Sequence, residues 1–309
     1  MPDQPIQTFA GFPNFPDLSQ LSADIAIIGI PACRVYLGET AHSSDAPDAI
    51  RRESNRYPDD PDAWDFDLGS TLNDLCRGRA VDCGNLAVVS QYDLTNRSLI
   101  LRAIKQALQA NAIPLVLGGD DSIPIPVLAA FENEDPFYIL QLDAHIDWRD
   151  DVKGLKEGYS STMRRASEMP WVKGIVQVGA RGVGSARTEE YQAALAYGAH
   201  LITAKEFHQK GIISVLNAVP AGSRCFLTID FDVLDPSIMP AVGAPTPGGL
   251  WYQETIDLIH QLSKHTSIIG ACLVELMPSV DIHHLGTITA MRIAWNIIGA
   301  LAKSIKPLK

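Results

Sequence analysis

Phe137-Tyr138-Ile139-Leu140-Gln141-Leu142 runs directly into Asp143-Ala144-His145-Ile146-Asp147. The first half is almost continuously apolar, as expected of a strand covered on both faces rather than one with a wet side. Two further segments repeat the arrangement. Ile113 to Leu117 leads into Gly118-Gly119-Asp120-Asp121-Ser122, and Cys225 to Ile229 leads into Asp230-Phe231-Asp232 and Asp235-Pro236. In a parallel sheet the C-terminal strand ends lie side by side, so these carboxylates are expected to converge. Ionised carboxylates do not share a partly buried pocket unless cations neutralise them. A cluster of aspartates with one histidine suits hard to borderline divalent metals, Mn²⁺ first, with Ni²⁺ or Zn²⁺ as alternatives.

The same strand signature recurs outward from these segments, at Ile25 to Ile30, Leu86 to Val89, Ile175 to Val178, Leu201 to Thr203 and Ile268 to Val274. Between the runs lie helical patterns at Ser98 to Gln109, Thr188 to Tyr197, Glu254 to Lys264 and Ile288 to Ala302. Strand–helix alternation at this spacing predicts one doubly wound or barrel-like α/β domain over residues 1–309, with 1–21 as an N-terminal extension. Residues 32–80 are irregular and polar, and are expected to form rim loops and a subunit contact.

A chain of 309 residues at 46% hydrophobic content is long enough to bury a large core. It has no stretch of eighteen uninterrupted apolar residues, so no membrane span is expected. Met1 to Asp17 lacks a basic region followed by an apolar run, so no secretory signal is expected. The five cysteines (Cys33, Cys76, Cys83, Cys225, Cys272) show no CxxC spacing, which points to a reducing cytoplasm. A net charge of −11 with no Lys/Arg stripe argues against nucleic acid as a partner.

Together the segments resemble the ureohydrolase (arginase/agmatinase) family, which carries GGDH, DAHxD and SxDxDxxDPxxxPGxGTPxxGG segments in that order. Here they read Gly118-Gly119-Asp120-Asp121, Asp143 to Asp147, and Thr228 to Asp235-Pro236 through Pro240, Gly243, Pro245 and Gly248-Gly249. A later Glu275-Leu-Met-Pro278-Ser-Val-Asp281 is similar to the family's ExxPxxD. The resemblance implies a three-layer α/β/α sandwich around an eight-stranded, mostly parallel sheet. It also implies a trimer or hexamer, and a binuclear Mn²⁺-type centre that hydrolyses a guanidino group to urea and an amine. Carried over by position, Asp143 and Asp230 bridge both metals, Asp121 and Asp147 complete one site, and His145 and Asp232 the other. Asp147 also holds the nucleophile and moves its proton, and Glu275 binds the planar guanidinium fork.

Five departures bear on function, counting Ala241 and Ala244 together. The family has His at Asp121, where carboxylate remains a ligand but adds a negative charge. It has His at Tyr159, where a phenol with a free pKa of about 10 is a poorer proton shuttle. It has Asp at Cys33, and Gly and Thr at Ala241 and Ala244. Trp148-Arg149-Asp150 replaces the Asn-bearing stretch that reads an amino-acid head group. The expected substrate is therefore agmatine-like, a guanidino acid, guanidine or a biguanide rather than L-arginine, with Trp148 and Met163 making the outer pocket apolar. Two other readings stay open: a weakened partner subunit in a mixed oligomer with a paralogous ureohydrolase, and hydrolysis of an amide or formimino C–N bond. Asp120 and Asp235 read as structural, and Arg164 and Arg165 as a salt-bridged helix start. His42, His283 and His284 lie in loops within reach of the rim, but each reads first as a surface histidine. Trp148 is either pocket wall or packing.

Overall fold

The computed structural model describes residues 7–57, 59–90, 94–184 and 186–305; residues 1–6 of the N-terminal extension lie outside this range. Its strands are β1 (Ile25–Gly29), β2 (Ala80–Asn85), β3 (Ile113–Leu117), β4 (Phe137–Leu142), β5 (Val172–Val178), β6 (His200–Ile202), β7 (Arg224–Asp230) and β8 (Ser267–Val274). They form an eight-stranded sheet in the order β2-β1-β3-β8-β7-β4-β5-β6, and each recorded pair is parallel.

The helices are α1 (Ala46–Ser54), α2 (Leu72–Cys76), α3 (Leu94–Gln109), α4 (Pro124–Ala129), α5 (Thr162–Ala166), α6 (Thr188–Tyr197), α7 (Ala204–Lys210), α8 (Ile213–Ala218), α9 (Tyr252–His265) and α10 (Leu285–Ser304). Successive strand residues point to opposite faces and so feed two cores. Ile25, Ile27, Leu115 and Leu117 join Phe207, Ile259 and Ile297 on one face, while Ala26, Ile28, Val116 and Ile139 join Ile104, Val127 and Ala194 on the other. The result is the expected α/β/α sandwich. By length and composition α10 could cross a membrane, but 83% of its apolar window is buried inside the fold, where it packs against α9 and α1.

Two expectations are corrected. Leu86–Val89 is not a strand; the edge strand is Ala80–Asn85, whose Asp82 is fully buried. Arg51 of α1 grips that carboxylate through Nε at 2.8 Å and Nη2 at 2.9 Å, which permits a charge inside a strand that hydropathy alone rejects. Residues 32–80 are not wholly irregular, since they contain α1 and α2. The described part of the N-terminal extension packs into the domain: Phe9 and Phe12 are core residues, and the Phe9 amide donates to Asp82 at 2.7 Å.

Strand register positions the site. Leu117, Leu273, Ile229 and Leu142 lie in one row across the adjacent strands β3, β8, β7 and β4. Each motif therefore leaves the sheet at the same level, although its residues are far apart in sequence. Gly119 is required where the β3 segment turns, because a Cβ there would sit 1.9 Å from the Ala32 carbonyl oxygen.

Candidate metal centre

At this C-terminal edge, Asp121, Asp143 and Asp147 bring carboxylate oxygens within 4.8 Å of one another, and Asp143, His145 and Asp232 do the same with carboxylate and imidazole atoms. Asp143 belongs to both groups. Asp230 lies outside both tight groups but lines the same cavity, with its Oδ1 taking the Asp232 amide at 2.8 Å. Gln141, the penultimate residue of β4, donates one amide to Asp143 Oδ2 and Asp147 Oδ2, each at 2.7 Å. Gln177 on β5 fixes that amide by donating to its oxygen at 2.5 Å and to the Ile146 carbonyl at 2.8 Å. This polar support was not read from the sequence, where Phe137 to Leu142 counted simply as an apolar run.

The electrostatics are those of a cation site. Asp121 is 2% exposed, and neither carboxylate oxygen has a hydrogen-bond donor. Burial, then the charge of Asp147, push its pKa well above the usual aspartate value. Burial and neighbouring carboxylates do the same to Asp143 and Asp230. His145 Nδ1 lies 3.0 Å from Asp232 and 3.3 Å from Asp143. Burial opposes its charge, but the Asp232 hydrogen bond and the surrounding carboxylates raise it to about 10. Asp147 and Glu275 both hold left-handed backbone, with φ of 51° and 67°. Such conformations cost about 1–3 kcal/mol each and persist where surrounding structure imposes them.

Glu275 follows β8 and closes the site. Its Oε1 accepts the Asp121 amide at 2.8 Å, and its Oε2 accepts from His42 Nε2 at 3.1 Å and Ser43 Oγ at 3.4 Å. His42 is thus a cavity residue and not a surface histidine; 233 residues separate it from Glu275, so no local signal could reveal the pair. Tyr159 also lines the cavity, but its hydroxyl donates to Glu39 at 2.9 Å, and its ring lies 4.5 Å from that of Tyr36.

The cavity encloses about 830 Å³. Trp148 is both wall and packing: it lines the cavity, donates to Gln177 at 2.7 Å and lies against Tyr197. Met163 is corrected: it is fully buried in the core, and Met277 is the methionine in the wall. Asp235 is structural as expected, accepting amides of Ser237, Gly248 and Gly249. Asp120 accepts Ser122 N–H and O–H. Arg165 and Arg164 pair with Asp150 and Glu168 beside α5.

Comparison with known proteins places the chain in a family. The arginase-family profile matches residues 23–299. N(1)-aminopropylagmatine ureohydrolase of Thermus thermophilus is 31% identical over 69% of this chain and 70% of its own length. Agmatinase of Pyrococcus horikoshii is 27% identical over 94% and 96%. The proclavaminate amidino hydrolase structure from Streptomyces clavuligerus superposes with a TM-score of 0.85 at 25% identity, covering 98% of this chain and 99% of that one. The chain belongs to the arginase family, whose members are hydrolases of C–N bonds in linear amidines.

Proposed function

We propose that the protein is a binuclear metal-dependent amidinohydrolase that releases urea and an amine from a small guanidino compound. The carrying observation is Asp143, shared by two groups of ligand-type atoms, beside an Asp121 carboxylate that is buried with no donor. The donor set fits divalent cations of the Mn²⁺ or Ni²⁺ kind. Asp121, Asp143 and Asp147 would hold one ion, and Asp143, His145 and Asp232 the other, with Asp230 as the second shared carboxylate. Bound there, the metals supply a nucleophilic hydroxide near neutral pH.

The chain's own residues do the rest. Asp147, held by Gln141, orients the nucleophile and accepts its proton. Glu275 receives the guanidinium, a planar cation matched to a carboxylate. The low exposure of these groups strengthens both contacts by excluding water.

Relatives named agmatinase, N(1)-aminopropylagmatine ureohydrolase and guanidino acid hydrolase support a guanidino substrate. Arg149 is paired with Glu190 at 3.5 Å, which supports a tail without an α-amino-acid head group. The partner-subunit reading is not favoured, because Asp121 joins Asp143 and Asp147 instead of turning out to solvent. A trimeric or hexameric assembly, alone or with a paralogous subunit, and a cytoplasmic location complete the proposal. Light scattering tests the assembly.

The functional test is metal analysis followed by urea release from L-arginine, agmatine, guanidinobutyrate, guanidine and a dialkyl biguanide. Bound metal with turnover of a substrate lacking the amino-acid head group is expected. Preferred cleavage of L-arginine overturns the pocket argument, and absence of urea from all five by the metal-loaded protein overturns the proposal.

A further inference from the structure

The hydrolysis proposed above needs a proton for the departing amine, and the structure narrows the groups able to give one. Tyr159 is committed to Glu39, and burial together with that carboxylate raises its pKa further above the ordinary phenol range. Among the described residues lining the cavity, the imidazoles are His145 and His42. His145 lies between Asp143 and Asp232, within the metal-ligand group. Arg149 and Arg187 face Glu190 at 3.5 and 3.8 Å, and a guanidinium is too weak an acid for the task. Lys153 also lines the cavity, but from a solvent-exposed position.

His42 is placed differently. Its Nδ1 faces the Thr40 carbonyl at 3.2 Å and its Nε2 faces Glu275 Oε2 at 3.1 Å. Neither partner can donate, so both ring nitrogens are satisfied only when both carry a proton. The ring is 6.4 Å from that of Tyr159, edge to face, and its side chain is 20% exposed toward the cavity. A guanidinium seated on Glu275 would place a nitrogen beside the donor that already shares that carboxylate.

We propose that His42 is the general acid of this site, protonating the amine nitrogen as it leaves. The tetrahedral adduct collapses with cleavage of the carbon–nitrogen bond to the tail, and the bonding pair stays on the departing nitrogen. That nitrogen takes the Nε2 proton of His42. The adduct hydroxyl gives its proton to Asp147 as the urea carbonyl forms, and solvent at the cavity mouth reprotonates the imidazole. The charged and titratable groups facing His42 are Glu275 after β8, Asp120 after β3 and Tyr159 on the loop before α5, while Glu39 of its own loop lines the same cavity and is held by Tyr159. Hydrogen bonding to Glu275 outweighs burial and lifts the imidazole to about 9, so it is charged when substrate arrives.

The test rests on the guanidino-hydrolase reading and separates from it. Manganese-loaded parent, H42Q and H42N proteins are compared on an alkylguanidine and an arylguanidine, whose aniline leaving group needs less protonation. For both variants kcat on the alkyl substrate is expected to fall roughly 100-fold or more. The fall on the aryl substrate is expected to be much smaller, with metal content unchanged and both variants folded at the assay temperature. Heteronuclear NMR of the metal-free parent is expected to show both His42 ring nitrogens protonated near neutral pH. An equal fall on both substrates, a rise in KM with kcat intact, unaltered kcat, or a neutral His42 tautomer overturns the assignment while leaving the hydrolase reading in place. A metal-loaded parent that turns over neither substrate nor any guanidino compound in the panel overturns both.

Discussion

Asp121→Asn separates a metal ligand from a merely buried acid, because the two roles predict opposite changes. In the metal-free protein Asp121 is 2% exposed, has no donor on either oxygen, and faces Asp147 and Asp143. Leaving a buried polar group unsatisfied costs about 1–3 kcal/mol. Protonation relieves part of that, as the raised pKa shows. Asparagine keeps the volume, removes the charge and gives the neighbouring carboxylates an N–H donor. Metal-free Asp121→Asn is therefore expected to be more stable than the parent by about 1–2 kcal/mol, or roughly 2–3 °C in midpoint for a chain of this length. With metal the order reverses. Cation at one hundred times its Kd stabilises the parent by about 2.7 kcal/mol, and a neutral amide ligand forfeits most of that gain. Thermal melts in chelator and across a Mn²⁺ titration read both numbers. A chelated variant that melts below the parent, or equal metal-induced shifts in the two proteins, refutes the reasoning.

Other outcomes follow from the same geometry. The folded-state pKa values of Asp121, Asp143 and Asp230 are raised, so the metal-free folded chain holds protons that the unfolded chain releases. The associated stability is present below the unfolded aspartate value of about 4 and is lost as pH rises through the folded values. The melting temperature in chelator is thus expected to drop from about pH 5 to pH 8, and a rise over that window contradicts the carboxylate cluster. Asp230→Asn is expected to remove bound metal and activity together, and retention of both ions with full turnover removes Asp230 from the ligand set. Tyr159→Phe loses a hydroxyl tied to Glu39, so kcat is expected to fall less than about tenfold, and a hundredfold loss would restore the phenol as proton carrier.

The legible half of this protein is the half built by strand ends. β3, β4, β7 and β8 announce themselves as apolar runs, and a parallel sheet forces whatever follows them to one edge, so the convergence of the segments bearing Asp121, Asp143, Asp147, Asp230 and Asp232 could be expected before any geometry existed, while Glu275 was named only through the family resemblance. Where a strand contains a paired charge the rule fails. β2 was missed because Asp82 is neutralised by Arg51, a partner 31 residues away. The illegible half comes from the chain between β1 and α1, which contributes Tyr36, Glu39 and His42 to the cavity wall. Nothing in the local pattern distinguishes these residues from a solvated loop, because their partners, Tyr159 and Glu275, lie 120 and 233 residues distant.

That division gives the departures from the family pattern a common physical sense. Asp121 and Tyr159 each stand where the family carries an imidazole, and His42 brings one back from a separate loop beside Glu275. Cys33 stands where the family carries a carboxylate. It is fully buried, with its thiol held neutral by burial and by the charges of Asp120 and Glu275. A carboxylate at position 33 would add to a region where burial and the Glu275 charge already lift Asp120 to about 7. With an extra negative charge admitted at Asp121, removal of one at Cys33 and placement of a cation at His42 both act against the accumulated repulsion. The departures therefore read as one redistributed electrostatic arrangement rather than as separate losses. Restoring Cys33→Asp alone should destabilise the metal-free protein, because the new carboxylate would lie beside Asp120 and Glu275 with no added cation to offset it.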